Sequence, residues 1–213
     1  MKERGVSSFY LFNIMTKKIL LALSALAAFS SGAALAQEAQ SPWLLRARAV
    51  NIDTANKDST GLNLSLSNKT IPEVDVSYFF TPNIAAELIL TYPQKHNLYS
   101  NGTQIGTLKH LPPTLTAQYH FTDLGAFKPY VGAGINYTRF SSVNLSVPNV
   151  GIESSSWGPA LQVGMDYALD KNWSLNMDLK KVYMKTDVYS AGNKIGTFKV
   201  DPVLFGVGVG YRF

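Results

Sequence analysis

The chain has 213 residues, with 19 lysines and arginines against 14 aspartates and glutamates, and no cysteine. The missing thiols exclude a disulfide framework and thiolate metal centres. The net charge of +5 falls to +2 once Lys2, Glu3, Arg4, Lys17 and Lys18 near the start are set aside, which leaves no basic patch for nucleic acid.

Lys17 and Lys18 precede an apolar run over residues 19–29, followed by small residues ending in Ala34-Leu35-Ala36. A charged start, a short apolar stretch and an A-x-A site read as a secretory signal peptide. Residues 1–36 are therefore expected to be an upstream extension, preceding a second possible start at Met15, plus a cleaved leader. Residues 37–213 would form one domain. No later stretch reaches the about 20 apolar residues of a spanning helix. An exported chain of this kind can cross a membrane only as a closed barrel.

Eight segments of the remaining chain alternate with period two, the signature of strands with one apolar face. In chain order, Trp43, Leu45, Ala47 and Ala49 stand against Leu44, Arg46, Arg48 and Val50. Val74, Val76, Tyr78 and Phe80 stand against Glu73, Asp75, Ser77 and Phe79. In the third, Ile84, Ala86, Leu88, Leu90 and Tyr92 oppose Ala85, Glu87, Ile89 and Thr91. The fourth sets Leu115, Ala117, Tyr119 and Phe121 against Thr114, Thr116, Gln118 and His120. Val131, Ala133, Ile135 and Tyr137 oppose Tyr130, Gly132, Gly134 and Asn136. The sixth runs over residues 157–167 with Gln162 and Asp166 on its polar side, and the seventh over 173–180 with Asp178 and Lys180. The last is Leu204 to Phe213, LFGVGVGYRF, where Phe205, Val207, Val209, Tyr211 and Phe213 oppose Leu204, three glycines and Arg212.

No apolar set carries a charge. That pattern suits a membrane barrel with lipid outside and polar groups inside, and equally a soluble barrel turned the other way. Connection lengths decide between them. Three connections are short (residues 81–83, 122–127 and 170–172), and four are long and polar, roughly 53–70, 93–111, 141–155 and 185–199. Short and long alternate, as in outer-membrane barrels with short periplasmic turns and long extracellular loops. The expected fold is all-β: an eight-stranded antiparallel transmembrane barrel.

Such a barrel is just wide enough to be filled by its own side chains or one small ligand. Inward charges must then pair, because an isolated buried charge is expensive. Arg46, Asp75, Glu87, His120, Asp166, Asp178 and Arg212 are expected to form a polar plug toward the periplasm. The inward positions at the extracellular ends are apolar: Val50, Ile52, Ile71, Ile89, Val182 and Leu204. The loops above add Leu62, Leu64, Leu66, Val143, Leu145, Val147, Val150 and Ile152. This apolar cup is either a site for a greasy solute or the packed core of a lid. Pro72, Pro93, Pro112, Pro113, Pro159 and Pro202 lie near extracellular strand ends, where a missing N–H either opens a gap in the wall or marks a loop boundary.

His96, His110 and His120 lack metal-binding spacing, so neither metal nor cofactor is expected. YSNGTQIGTLKHLP from Tyr99 is echoed 90 residues later by YSAGNKIGTFKVDP from Tyr189. Either a duplicated half or two hairpins of like geometry would produce this echo.

PPTLTAQYHF (Pro112 to Phe121), KPYVGAGINYTRF (Lys128 to Phe140) and the terminal GVGVGYRF resemble the OmpW family of outer-membrane proteins. The likeness runs from Trp43 to Phe213. It implies a Gram-negative outer membrane, passive passage of small hydrophobic molecules with lateral release into lipid, and recognition of Phe213 by the barrel-assembly machinery. The family offers no catalytic motif, so no enzyme activity is expected. The alternatives are a surface-recognition barrel (for phage, bacteriocin or host molecules) and a narrow ion channel.

Overall fold

The computed structural model describes residues 41–213; the leader expected over residues 1–36 lies outside them. The described residues form fifteen strands: β1 (Trp43–Asp53), β2 (Lys57–Asp58), β3 (Leu64–Leu66), β4 (Lys69–Phe79), β5 (Ile84–Leu90), β6 (Gln94–Ser100), β7 (Thr103–Leu111), β8 (Thr114–His120), β9 (Phe127–Leu145), β10 (Val150–Ile152), β11 (Ser155–Ala168), β12 (Trp173–Val182), β13 (Lys185–Ser190), β14 (Asn193–Lys199) and β15 (Val203–Arg212). Eight of them make the wall. β1, β4, β5, β8, β9, β11, β12 and β15 each pair antiparallel with the next, and β15 returns to β1 from Leu44↔Arg212 to Asp53↔Val203. Closure leaves no open edge, the condition for a sheet in hydrocarbon.

The rows face as the alternation predicts. Phe205, Val207 and Val209 on the outside are 46%, 44% and 44% exposed, whereas Arg46 and Asp166 inside are 0% and 6%. A soluble barrel would invert these values. Aromatic rings meet edge to face along the short-turn rim, with Trp43 4.8 Å from Tyr78 and Trp173 5.0 Å from Tyr211. Tyr137 and Trp157 meet at 4.7 Å on the other side of the apolar band. These are interfacial girdles.

The short turns are closed by side chains. Thr81 Oγ1 accepts from the backbone N–H of Ile84 at 3.0 Å, and Asp170 Oδ1 from those of Asn172 and Trp173 at 2.8 and 2.7 Å. The four long, polar connections contain further strands. Two of them are hairpins, β6 with β7 and β13 with β14; β7 also pairs with upper β9, while β3 flanks β6, β10 flanks β13 and β2 flanks β14. Both halves of the 90-residue echo are hairpins. Asn101-Gly102 and Ala191-Gly192 hold positive φ at their tips, 48° and 79° against 48° and 83°, a type I′ turn in each case. Both also slip register just before the turn, at Leu98/Tyr99 and Val188/Tyr189. The two halves of the echo thus share one hairpin geometry.

Two glycines make room that a side chain would fill. A Cβ on Gly208 would lie 2.1 Å from the Ala47 carbonyl, across the β1–β15 seam. One on Gly164 would lie 2.4 Å from the Tyr130 ring, inside the lumen.

Candidate functional site

The lower lumen, toward the short turns, is an ion-pair network. Arg46 on β1 grips Asp166 on β11 with two bonds, Nε to Oδ1 at 3.1 Å and Nη2 to Oδ2 at 2.7 Å. Its remaining nitrogen, Nη1, reaches Asp75 at 3.1 Å, Ser77 at 2.9 Å and Glu87 at 3.4 Å. Arg48, one pleat higher, donates to Asn176 at 2.7 Å, Glu73 at 3.1 Å and Glu87 at 2.9 Å. Its Nη1 also lies 3.1 Å from Asp75 Oδ2, a contact of charge whose angle makes no hydrogen bond. Lys180 sits 3.4 Å from Glu73 and 3.6 Å from Asp178. Three buried cations thus meet five buried carboxylates: Glu73, Asp75, Glu87, Asp166 and Asp178.

Neutral donors serve the remaining carboxylate oxygens. Tyr130 Oη donates to Asp178 at 2.9 Å, and Gln162 Nε2 donates to Asp178 at 2.7 Å and Glu87 at 2.9 Å. Forked guanidiniums suit such multiple pairing. Almost every polar atom is therefore spent on a neighbour, and the network spans the lumen from β1 to β11 and β12.

Arg48, Glu73 and Lys180 belong to this network although sequence spacing had not put them in the plug. Two expected members stand outside the ion pairs. Arg212 lies at the rim, its guanidinium 4.1 Å from the Phe79 ring centre and its Nε donating to the Ser41 carbonyl at 2.8 Å. His120 bonds Gln118 at 2.9 Å, with its ring between Phe79 and Tyr130. Strand tilt is the reason. A residue's height in a barrel depends on shear as well as on its distance from the turn, so inward positions equidistant from their turns fall at different levels.

The upper lumen is mainly hydrocarbon. Val50, Ile52, Ile71, Val182 and Leu204 join one buried cluster with Leu64, Leu66, Leu98, Phe140 and Phe198 from the long connections. Leu62, Val143, Leu145, Val150 and Ile152 pack against it. Val147 does not, being 40% exposed. Within this region lies a narrow cavity bordered by Ile52, Ile71, Ile89, Val182, Leu204 and His110, with Glu73 and Lys180 below. It has room for little more than one water.

Beside the cavity the wall loses its ladder. Paired residues of β4 and β5 end at Val74↔Leu90. Above that point Thr91 Oγ1 donates to the Pro72 carbonyl at 3.3 Å, and backbone pairing resumes with Ser67 N–H to Asn97 O at 3.2 Å. Pro72 has no N–H to offer, and Pro93 follows directly above on the facing segment.

A closed eight-stranded wall with an apolar exterior, aromatic girdles and internally paired charges defines an outer-membrane β-barrel. The chain belongs to the OmpW family, whose sequence pattern matches residues 43–213. Outer membrane protein W of Escherichia coli (strain K12) is 36% identical over 214 residues, 92% of this chain and 100% of that protein. The outer-membrane protein y4mB of Sinorhizobium fredii, described as uncharacterized, is 45% identical over 185 residues, 81% of this chain and 80% of that one. PahQ of Pseudomonas aeruginosa, named a dibenzothiophene metabolism operon protein, is 28% identical over 190 residues, 82% of this chain and 90% of that one. The crystal structure of outer membrane protein OprG from Pseudomonas aeruginosa matches with a TM-score of 0.70 at 25% identity, over 82% of this chain and 97% of that one. The protein resides in the bacterial outer membrane, with its wall in lipid.

Proposed function

We propose that the barrel binds small hydrophobic molecules from outside and passes them sideways into the membrane, without catalysis. The observation that carries this reading is the change of lining along one lumen. Apolar side chains dominate its upper half, with a few buried neutral polar groups among them, and a network of paired charges fills the lower half. A neutral apolar solute gains from burial above and meets only desolvation cost below. Straight passage to the periplasm is therefore unfavourable. The lapse in pairing at Pro72 and Thr91 adjoins Ile71 and Ile89, so the short route out runs through the wall. The name of PahQ, which ties that relative to dibenzothiophene metabolism, accords with an apolar aromatic solute. Because the cavity is narrow, the extracellular hairpins must lift for a solute to enter. Phe213 would serve as the mark read by the assembly machinery.

The test is uptake of an apolar fluorescent solute into proteoliposomes. Ile89→Asp places a charge in the upper lumen and should cut uptake at least tenfold, on the order of the cost of burying an unpaired carboxylate. Joint replacement of Pro72 and Pro93 by Val should reduce it as well. Unchanged uptake in that double variant would sink lateral release. One observation favours a second reading, a surface-recognition barrel: the upper core is packed nearly solid. Uptake no faster than through protein-free vesicles would select it.

A further inference from the structure

Three polar atoms buried just above the girdle have no partner: Gln94 Oε1, His96 Nε2 and His110 Nδ1. Their residues adjoin one another. Gln94 and His96 share the inward face of β6, Gln94 stands opposite His110 on β7, and the two imidazoles stack at 4.6 Å. All three side chains are buried. His110 also borders the narrow cavity, next to Ile71, Ile89 and Thr91.

Two of the three atoms are acceptors by necessity. Gln94 Nε2 donates to the Tyr92 carbonyl at 2.9 Å and to Thr91 Oγ1 at 3.3 Å, which fixes the amide and leaves Oε1 on its other side. His96 Nδ1 lies 2.9 Å from the Ser67 carbonyl, which can only accept. The ring proton is therefore on Nδ1, and Nε2 presents a lone pair. Burial lowers the pKa of both histidines. His110 falls to about 3, with His96 and the Lys69 ammonium adding to the effect. No carboxylate occurs between Glu87 and Asp123, and Glu73, which borders the same cavity as His110, is paired with Arg48 and Lys180. The rings are neutral at physiological pH, so Gln94 Oε1 and His96 Nε2 present buried lone pairs that no donor of the protein meets. A metal ion does not suit the pair. The ring planes are inclined by only 29°, so they cannot both point at one ion.

We propose that Gln94, His96 and His110 bind the hydroxyl of an amphipathic solute, a small aromatic or aliphatic alcohol whose apolar body lies in the cavity between Ile71 and Ile89. This rests on reading the upper lumen as a solute site, and it names the preferred class. An alcohol supplies the missing donor. The matching hydrocarbon does not, and a carboxylate would set acceptor against acceptor.

The full chain in lipid nanodiscs, titrated with 2-naphthol and with naphthalene, tests this after correction for partition into the lipid. The wild-type protein should bind 2-naphthol about tenfold more tightly, the value of one hydrogen bond to a buried acceptor. Gln94→Leu and His96→Phe should lose that preference while keeping naphthalene affinity. If either variant fails to fold, ¹⁵N spectra of the wild-type imidazoles decide: 2-naphthol must shift His96 Nε2 and naphthalene must not. Equal affinities, or a preference that survives both substitutions, would overturn the assignment. Hydroxyl preference without uptake into proteoliposomes would sink the transport reading alone. Uptake without preference would sink only this one.

Discussion

Below Glu73 and Lys180 the lumen is held by directional bonds between charged groups; above them it is held by hydrocarbon contact. The lower network draws Arg46, Arg48 and Lys180 against five carboxylates on β4, β5, β11 and β12 and keeps few polar atoms spare. Breaking one of its contacts strands a buried charge. The upper cluster is assembled from side chains of the long hairpins, and apolar contact has no required direction. On the function proposed above, it would part and reclose around a guest. The comparison places stiffness at the periplasmic end and adaptability at the extracellular end.

The largest expected effect comes from breaking the lower half. Arg46→Ala leaves Asp75 and Asp166 without their main partner and should cost about 3–5 kcal/mol, read as a lower midpoint of urea unfolding in lipid vesicles. An unchanged midpoint would mean that water or neutral groups already serve those carboxylates. A smaller effect, confined to the upper half, should follow acidification. The folded pKa of His110, about 3, lies below the ordinary histidine value of 6.5, so the unfolded hairpin holds more protons between those limits. Stability from the buried rings is full above about 6.5 and is lost as pH falls toward about 3. Hydrogen exchange at residues 94–111 should therefore rise between about pH 7 and 5, relative to residues 185–199, which hold no histidine. The smallest effect belongs to the surface. Lys194, about half exposed, pairs with Asp187 at 2.5 Å on the surface of the β13–β14 hairpin, and Lys194→Ala should leave the unfolding midpoint nearly unchanged, because screening removes most of such a pair.

Alternation made the wall legible residue by residue, since a period of two assigns every side chain to lipid or lumen. Short turns against long connections then fixed which way the rows faced. The hairpins were harder to read. In QKHNLYS and TQIGTLKHL the outward residues are polar on a solvated face, and only the inward Leu98, Leu108 and the histidines mark a pattern. Membership of the plug was partly hidden for another reason. Glu73 and Asp75 are alternate residues of one strand, and nothing in their spacing tells which meets Lys180 and which Arg46. Tyr130 read as one inward residue among many, yet its hydroxyl joins Asp178, Asn176 and Arg48. The unpartnered state of Gln94 and His96 depends on backbone carbonyls of other segments, which no sequence pattern announces.

Several bonds of the lower network join strands that are not neighbours in the sheet: Arg46 to Asp166, Arg48 to Asn176, Gln162 to Glu87. The first two draw β1 toward β11 and β12, which lie on the β15 side of the seam. Zipping the first strand to the last therefore completes the interior pairing in the same motion, and a chain halted before that moment would still carry charges in water.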